Sequence, residues 1–534
     1  MKRTLILGMA GLLAGCTNAG LVAADEAGKT KAVAVKNTPI PRHQRRSDWY
    51  REAQASVLDA GAGGGAKNVI LFLGDGMGIS TVTAARIFAG QQAGGPGEEH
   101  RLSFEHFPVT GLAKTYNVNS QTPDSAGTMS AIVTGVKTDI GVFGIDENVS
   151  FGNCASARGH ELVTLLEIAE LAGKATGVVS TARLTHATPA ATYAKAPSRD
   201  WEDDSRMPVV ARNAGCDDIA SQFVGFEARL NRQFRREVSD GIEVAFGGGR
   251  ANFHGDEETG GRRKDGRDLI AEWQTLYPTG SFVDDKDALA AVTAPPAFGL
   301  FGNSHMDYAS ERAQKDATQP SLQAMTRKAI ELLQKDGSDG FFLMVEAGRI
   351  DHAHHAGNAY NALNDTVEFS DAIEAAIAMV DPEETLVIVT ADHSHVFTMA
   401  GYPRRGNPIL GKVIESRSGK PALDANGKPY TTLGYMNGRG FRDYGDDLEA
   451  DLTYREEPLG GRADISDIDT RKPGFHQEAL VPLSSETHGG EDVGVYAAGP
   501  GARAATGVQE QNRLFHIMLQ ATSWEQEAAG RIKR

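Results

Sequence analysis

Short continuous runs of apolar residues recur along the chain and predict the strands of a sheet. They span residues 68–73, 177–180, 242–246, 341–345, 386–390 and, as the last strand, 493–497. Runs without polar alternation are typical of parallel strands that are buried on both faces. Apolar residues with a helical period occupy two of the intervals, at 160–172 and 321–336. The alternation predicts an α/β fold, a three-layer helix–sheet–helix sandwich with a mostly parallel central sheet.

This pattern breaks between residues 401 and 480. The stretch is rich in Gly, Arg and Asp and shows no long helical period, which predicts an inserted, loop-rich subdomain with short strands. An insert of this length usually carries a function or forms an interface. The rest of residues 67–534 is expected to form one large domain around the sheet.

Polar residues with metal-binding side chains stand at the ends of the predicted strands. They are Asp75, Glu346, Asp392 and His393. Asp351 and His355 follow one loop later, four residues apart, so one helical turn would place both on the same face. A single such residue is usually a helix cap or a satisfied polar group, but several converging at one sheet edge favour a ligand site. Mixed His and carboxylate ligands suit Zn²⁺ and an all-oxygen set suits Mg²⁺; the excess of carboxylates suggests more than one metal.

A loop that ends in Pro-Asp-Ser runs into a small-residue helix at residues 126–134, which Gly135 would end. This arrangement places Ser125 at a helix N-terminus, where free N–H groups and the helix dipole stabilise an alkoxide or a phosphate. The simpler interpretation is that Asp124 and Ser125 cap an ordinary helix. The Asp, His and Glu residues elsewhere in the chain favour the functional interpretation.

Composition narrows the class of protein. The 534 residues carry a formal net charge of −16, with 40% hydrophobic and 23% charged residues, as in soluble globular proteins. The middle of the chain contains no Lys- or Arg-rich run, so the sequence does not indicate a surface that binds nucleic acid. The acidic balance still allows an anionic substrate, because bound metal ions can dominate the local field.

Residues 1–15 predict a signal peptide for export, with a basic start and an apolar run too short to span a bilayer. The run ends in Leu-Ala-Gly before Cys16, which resembles the cleavage box of bacterial lipoproteins and predicts lipidation of Cys16. The alternative is an ordinary signal with a chance Cys. Residues 16–66 are rich in Ala and Gly and predict a flexible tether.

Two cysteines, Cys154 and Cys216, remain if Cys16 is lipidated. In an exported protein such a pair predicts a disulfide, and two reduced buried thiols are the alternative.

Six motifs together resemble those of the alkaline phosphatases, and more closely the vertebrate-like branch than the enteric bacterial one. They are LGDGMG at 73–78, PDSAGT at 123–128, GVKT at 135–138, VEAGRIDH at 345–352, TADHS at 390–394 and ETHGGED at 486–492. The resemblance covers about residues 68–520, with the motifs in the family's order. It implies that residues 67–534 are a catalytic domain and that 401–480 is the family's crown region, which lies at a homodimer interface.

The resemblance also implies roles for single residues. Ser125 would be the nucleophile, and Arg199 would bind phosphate with its planar fork. The implied cofactors are two Zn²⁺ and one Mg²⁺. Their ligands would be Asp351, His355 and His488 for one zinc, Asp75, Asp392 and His393 with Ser125 for the second, and Asp75, Thr188 and Glu346 for magnesium. His186, His352 and Asp124 would lie beside the ligands, as would His354 and His395, and Cys154 and Cys216 match a disulfide of the branch.

The implied activity is the metal-dependent hydrolysis of small phosphate monoesters through a phosphoserine, by an exported, lipid-anchored protein of the periplasm or cell surface. A phosphodiesterase or sulfatase of the same superfamily is one alternative. However, a sulfatase needs a Cys/Ser-x-Pro-x-Arg segment, which residues 123–127 do not match. A diesterase typically has a Thr nucleophile and no counterpart of Arg199, whereas this chain has Ser125 and Arg199. A non-catalytic lipoprotein that binds phosphate or metal is the other alternative; it predicts losses among the nucleophile and ligands, and none is seen.

Overall fold

The computed structural model describes residues 35, 37–61, 63–255, 258–314, 318–457 and 461–533. Its strands are β1 (Asn68–Gly74), β2 (Val109–Lys114), β3 (Ala175–Arg183), β4 (Val244–Gly248), β5 (Ser281–Val283), β6 (Ala297–Leu300), β7 (Phe341–Ala347), β8 (Thr385–Ala391), β9 (Ser394–His395), β10 (Phe397–Met399), β11 (Leu433–Gly438), β12 (Arg442–Asp443), β13 (Phe475–His476), β14 (Ala479–Pro482), β15 (His488–Gly489), β16 (Val493–Ala498) and β17 (Gly507–Glu510).

The helices are α1 (Arg42–Arg46), α2 (Asp48–Asp59), α3 (Ile79–Gln92), α4 (Ser125–Thr134), α5 (Cys154–Ala157), α6 (Leu165–Ala172), α7 (Ala187–Ala190), α8 (Val209–Asn213), α9 (Ile219–Val224), α10 (Phe226–Phe234), α11 (Leu269–Leu276), α12 (Lys286–Ala291), α13 (Ala309–Gln314), α14 (Leu322–Lys335), α15 (Arg349–His355), α16 (Ala359–Ile377), α17 (Ala450–Thr453), α18 (Arg513–Ala521) and α19 (Trp524–Lys533). Within the described ranges, no helix combines the length and apolarity that crossing a bilayer needs.

A ten-stranded sheet in the order β17-β2-β16-β8-β1-β7-β3-β4-β6-β5 forms the centre of the fold. Every neighbouring pair is parallel except the two that involve β16, so the expected mostly parallel sheet is confirmed. In the middle of the sheet, Leu73 of β1 pairs with Glu346 on one side and Thr390 on the other. This register brings the polar residues that end β1, β7 and β8 to one edge of the sheet.

Helices cover both faces of the sheet, as successive residues of β7 show. The Phe342 ring packs edge-on against Trp524 of α19. A Cβ placed on Gly177 of β3 would meet Leu343 and also Leu333 of α14, so Leu343 faces the opposite helix layer. Neighbouring side chains of a strand point to opposite faces, and the two helices therefore sandwich the sheet. The three-layer architecture is confirmed.

One predicted helix begins later than expected, and the strand expected to be the last is followed by another. The helix predicted from residue 160 begins at Leu165, because Thr164 caps it: Thr164 Oγ1 accepts a hydrogen bond from Glu167 N, and Glu167 accepts one from Thr164 N. The run at 493–497 is not the last strand, because β17 follows it and pairs with β2. β2 and β17 alternate or end in polar residues and lack the continuous apolar run that identified the central strands.

The prediction of a flexible tether is wrong over the described part of residues 16–66. Residues there form α1 and α2, which pack on the main body. Tyr50 and Val57 are buried, and Gln44 Nε2 donates to the carbonyls of Thr134 and Val163. The Ala- and Gly-rich stretches lie outside these helices, and the buried positions Tyr50, Ala53 and Val57 of α2 do have helical spacing. The predicted signal peptide, residues 1–15, and Cys16 lie outside the described residues.

Residues 401–480 contain short strands and one short helix, α17, within their described part. β10, β11 and β14 form a three-stranded sheet, and β12 pairs with β13. Further isolated bridges, such as Lys412 with Thr431, hold the loops together. The role of this segment as a subdomain at a subunit interface stays a prediction.

Candidate active site and metal centre

Asp75 lies at the centre of the site, immediately after β1. The chain turns there at Gly76, whose φ of 69° is unfavourable for other residues. A Cβ on Gly76 would also come within 2.4 Å of His395 Nε2. The turn therefore requires glycine on both counts, and it places the Asp75 carboxylate, fully buried, against the loops that follow β7 and β8.

Ser125 is the first residue of α4, and Asp124 is its N-cap. The Asp124 carboxylate accepts a hydrogen bond from Gly127 N at 3.1 Å, so the capping interpretation holds for Asp124. Ser125 is free for another role: its Oγ lies 3.0 Å from His393 Nε2 and 3.4 Å from Asp75 Oδ1. Every residue of α4 is buried, so its N–H groups face this polar cluster with little screening by water.

One group of ligand atoms surrounds the Asp351 carboxylate. α15 carries Asp351 and His355 four residues apart, as expected. Asp351 Oδ1 lies 3.3 Å from His355 Nε2, 3.4 Å from His488 Nε2 and 2.9 Å from His395 Nε2. Burial opposes ionisation, but these histidines hold the pKa of Asp351 well below its usual value. His395, expected beside the ligands, therefore comes as close to Asp351 as the two expected ligands do.

A second group joins Asp75, Asp392 and His393 at the ends of β1 and β8. His393 Nε2 lies 3.3 Å from Asp75 Oδ1 and 3.4 Å from Asp392 Oδ2. All three residues are fully buried. Burial and the neighbouring carboxylates raise the pKa of both Asp75 and Asp392, and burial lowers the pKa of His393. Burial therefore disfavours the charged form of the two carboxylates, and a bound cation would stabilise it.

The third group consists of oxygen atoms. Asp75 Oδ2, Thr188 Oγ1 and Glu346 Oε1 are buried, and none has a hydrogen-bond partner in the described part of the chain. The other oxygen of Glu346 accepts a hydrogen bond from Ser180. Burial raises the pKa of Glu346 to about 8. Buried oxygens are rarely left without partners, so this convergence indicates a site for a hard cation.

Arg199 lies beside Ser125 and is oriented at both ends. Its Nη1 donates to Asp124 Oδ2 at 3.0 Å, and its Nη2 lies 3.1 Å from His186 Nε2. Its backbone N donates to Gly141 O. Burial opposes the charge, but Asp124 raises the pKa of Arg199 above its usual value. The guanidinium is thus a fixed cation next to the helix N-terminus that carries Ser125.

The comparisons with known proteins agree with this geometry. The model of the alkaline phosphatase family matches residues 66–524. The chain is 41% identical over 504 residues to the tissue-nonspecific alkaline phosphatase of Gallus gallus, covering 90% of each protein. The chain belongs to the alkaline phosphatase family. The human tissue-nonspecific isozyme is 42% identical over 475 residues, which cover 85% of this chain and 83% of the relative.

The structure of Thermus thermophilus alkaline phosphatase superposes with a TM-score of 0.61 and 25% identity, covering 92% of this chain and 99% of that one. The chain is therefore a phosphatase, and its family supports the hydrolysis of phosphate monoesters. The family also implies metal cofactors. The three groups of donors fit such ions: two combine nitrogen with oxygen, and the third offers the unpartnered oxygens of Asp75, Thr188 and Glu346, with a ring nitrogen of His186 within 4.8 Å of the two carboxylates.

Two further residues of the site carry no signal of their own in the sequence, and the first of them, Glu486, supports the Asp351 group of this phosphatase. Glu486 Oε2 lies 2.6 Å from His395 Nδ1, and the carbonyl of Glu486 lies 2.7 Å from His355 Nδ1. Glu486 is buried and therefore fixes two ring orientations at once. Its position two residues before His488, inside a recognised motif, was the available signal.

His305 is the second such residue. It lies between the expected neighbours His186 and His352, with ring centroids 5.3 and 3.9 Å away. Arg183 donates to His305 Nε2 and forms a two-pronged ion pair with Glu202. Burial lowers the pKa of all three histidines. No motif marks His305, because it stands in a loop far from the others in sequence.

Cys154 and Cys216 form the expected disulfide, with Cα atoms 5.9 Å apart. His354, also expected as a neighbour, bonds Thr81 and Tyr435 and does not join the ligand atoms of the three groups.

Proposed function

We propose that this alkaline phosphatase hydrolyses phosphate monoesters through a phosphoserine on Ser125, with two Zn²⁺ and one Mg²⁺. The supporting observation is the position of the Ser125 hydroxyl. It stands at a buried helix N-terminus, within 3.4 Å of Asp75 and His393, with Arg199 held beside it by Asp124. A nucleophile, an anion-stabilising dipole and a phosphate-binding cation thus meet at one point.

The donor sets suggest how the ions are distributed. Asp351, His355 and His488 would hold one zinc, and Asp75, Asp392 and His393 the other, because both sets combine imidazole with carboxylate. Asp75, Thr188 and Glu346 would hold magnesium through their unpartnered oxygens. Bound there, such ions lower the pKa of a coordinated hydroxyl or water and neutralise developing charge on phosphoryl oxygens.

The residues of the chain then perform the transfer. Arg199 binds two phosphoryl oxygens with its fork and aligns phosphorus with Ser125 Oγ. Ser125 Oγ gives its proton to water and attacks phosphorus, and the bond from phosphorus to the alcohol oxygen breaks on the opposite side; the alcohol oxygen keeps the electron pair and takes up a proton from water. Water then attacks the phosphoserine and releases inorganic phosphate. The N-terminus of α4 stabilises the negative charge near Ser125 in both steps.

Steady-state kinetics tests this proposal directly. Hydrolysis of p-nitrophenyl phosphate at pH 7 to 10 is compared for metal-loaded protein, chelated protein and Ser125→Ala, with bis-p-nitrophenyl phosphate and p-nitrophenyl sulfate alongside. Fast monoester turnover that is lost on chelation and in Ser125→Ala supports the proposal. Preference for the diester or the sulfate, or unchanged turnover by Ser125→Ala, contradicts it.

We also propose that the protein is exported and held at a membrane by a lipid on Cys16. The disulfide supports an oxidising compartment. The mass of the mature N-terminal peptide, purified from membranes, tests the anchor. A peptide beginning at an acylated Cys16 supports it, and an N-terminus elsewhere without lipid contradicts it.

A homodimer that uses residues 401–480 completes the proposal. This segment exposes several large apolar side chains: Tyr402, Leu423, Met436 and Leu480. Exposed apolar side chains concentrated in one segment are typical of an interface. Light scattering on the purified protein should give twice the mass of one chain. The double variant Met436→Lys/Leu480→Lys should give the mass of a single chain. A wild-type protein that is monomeric at micromolar concentration contradicts this proposal.

A further inference from the structure

The segment that carries Arg199 is held between two stretches of chain that the disulfide joins. On one side, Gly152 N donates to Pro197 O at 2.7 Å, two residues before Cys154. On the other side, Ile219 N donates to Trp201 O at 2.9 Å, three residues after Cys216. The disulfide therefore connects the two stretches that bond the backbone before and after Arg199.

Trp201 connects the disulfide to the Arg199 segment through packing. A small satellite core contains Trp201, Met207, Ala211 and Cys154, each no more than 5% exposed, with Cys216 packed against it. This cluster is separate from the main hydrophobic core. Trp201 is two residues from Arg199, so at most about 7 Å of chain separates their Cα atoms. The Arg199 backbone is thus held by this local core on its C-terminal side, while the bridge between Ala196 and Phe143 ties the chain before it to the main core.

Three further contacts hold Arg199 itself. Asp124 and His186 bond its nitrogen atoms, and Gly141 O accepts from its backbone N. About a quarter of the Arg199 side chain remains exposed. A shift of the backbone would therefore change the direction of the fork relative to Ser125 and distort its hydrogen bonds with Asp124 and His186. Displacements of about 1 Å in a substrate-positioning group can cost roughly 100-fold in rate.

We propose that Trp201 and the Cys154–Cys216 disulfide are positioning elements for Arg199 and thereby set the affinity for phosphate and phosphate esters. This inference rests on the proposed role of Arg199. It assigns to the disulfide a task beyond stability, since the bond closes the framework around the phosphate-binding residue. It predicts that loosening this framework weakens phosphate binding while the machinery around Ser125 stays intact.

The test combines Trp201→Ala with a Cys154→Ala/Cys216→Ala double variant in the metal-loaded enzyme. Each should raise the inhibition constant of inorganic phosphate and the Michaelis constant for p-nitrophenyl phosphate by roughly tenfold, with metal content unchanged. Trp201→Phe, which keeps an aromatic ring in the cluster, should restore most of the affinity. Trp273→Ala is the matched control, because Trp273 is equally buried but packs against Phe298 and Tyr277.

Arg199→Ala separates positioning from general destabilisation. If Trp201 acts through Arg199, adding Trp201→Ala to Arg199→Ala should change the phosphate inhibition constant by less than about twofold. Equal effects of Trp201→Ala with and without Arg199, or equal effects of Trp273→Ala, overturn the inference. If Arg199→Ala alone leaves phosphate affinity unchanged, the proposed role of Arg199 itself fails, which is a distinguishable result.

Discussion

Among single residues, the main feature of the site is a cluster of three buried carboxylates. Asp75, Asp392 and Glu346 are buried together, and burial raises the pKa of each. Carboxylates in this setting either take up protons or bind cations. The unpartnered oxygens of Asp75 and Glu346 indicate that the folded chain is prepared for cations.

The oxygen-only group can be tested through Thr188. Thr188→Val keeps the shape of the side chain and removes the hydroxyl that has no partner in the described residues. We expect the Mg²⁺ concentration for half-maximal activity to rise at least about tenfold, because one of three converging oxygens is lost. Titration of the metal-depleted enzyme measures it.

Thr192→Val is the control for Thr188→Val, because the Thr192 hydroxyl bonds Pro189 O in the same short stretch of chain. An unchanged magnesium requirement in Thr188→Val, or an equal change in both variants, would count against the assignment.

A second residue-scale prediction concerns Glu170, far from the metal groups. Burial raises the pKa of Glu170 to about 8, although Ser239 and Thr176 donate hydrogen bonds to it. The folded state therefore keeps a proton that the unfolded state loses near pH 4.5, and stability falls as the pH rises from there through 8. Glu170→Gln removes this loss, so its unfolding temperature should exceed that of the wild type increasingly between pH 6 and 9.

Glu331→Gln provides the comparison for Glu170→Gln. Glu331 is a surface carboxylate whose pKa is lowered by Lys335 and Lys328, so it stays ionised over that range. Thermal unfolding followed by circular dichroism gives both curves. A wild type and Glu170→Gln that run parallel across this pH range would refute the prediction.

At the scale of elements, local signals in the sequence predict the centre of the fold well. The runs that became β1, β7 and β8 are continuous and apolar, and each is followed by a carboxylate that we propose as a metal ligand. The register between these strands then brings Asp75, Glu346 and Asp392 together without further assumptions. The edge strand β17 and its neighbour β2 are partly exposed and have no continuous apolar run, which is why the sequence did not predict them.

The end of α4 gives a prediction at this scale. Gly135 ends the helix with a φ of 78°, and a Cβ there would lie 2.8 Å from Phe515 Cδ1 and 3.3 Å from Tyr50 Cδ2. Gly135→Ala should cost about 3 kcal/mol or more, because the left-handed backbone and overpacking add. Gly337→Ala is the control: its φ is 94° but nothing lies within 4 Å, so about 1–2 kcal/mol is expected. Equal costs in urea unfolding would show that the contacts of α4 with α2 and α18 are not close.

At the scale of the whole molecule, long-range contacts complete what the sequence leaves open. The N-terminal helices were mistaken for a tether because their stability comes from the surface they cover. Asn512 Nδ2, for example, donates to Trp49 O across most of the chain. Glu486 and His305 were missed for the same reason, since each acts on rings contributed by distant loops.

Because α1 and α2 pack on the main body, we expect them to stabilise the folded domain. A chain that begins at Gly63 loses the buried Tyr50 and Val57 and exposes their partners. We expect its unfolding temperature to fall by several degrees relative to a chain that begins at Val35, since two large buried side chains are removed. Calorimetry on both proteins measures the two unfolding temperatures. Equal values would show that residues before Gly63 do not stabilise the domain and act as a tether.

Trapping the phosphorylated enzyme tests the proposed phosphoserine on Ser125. Metal-loaded protein turning over a phosphate monoester is quenched in acid, and its peptides are mapped by mass spectrometry. We expect a phosphate on Ser125 that appears on mixing with substrate and is absent from the Ser125→Ala variant. Turnover at the wild-type rate with no phosphate on Ser125, or with phosphate on another residue, would contradict it.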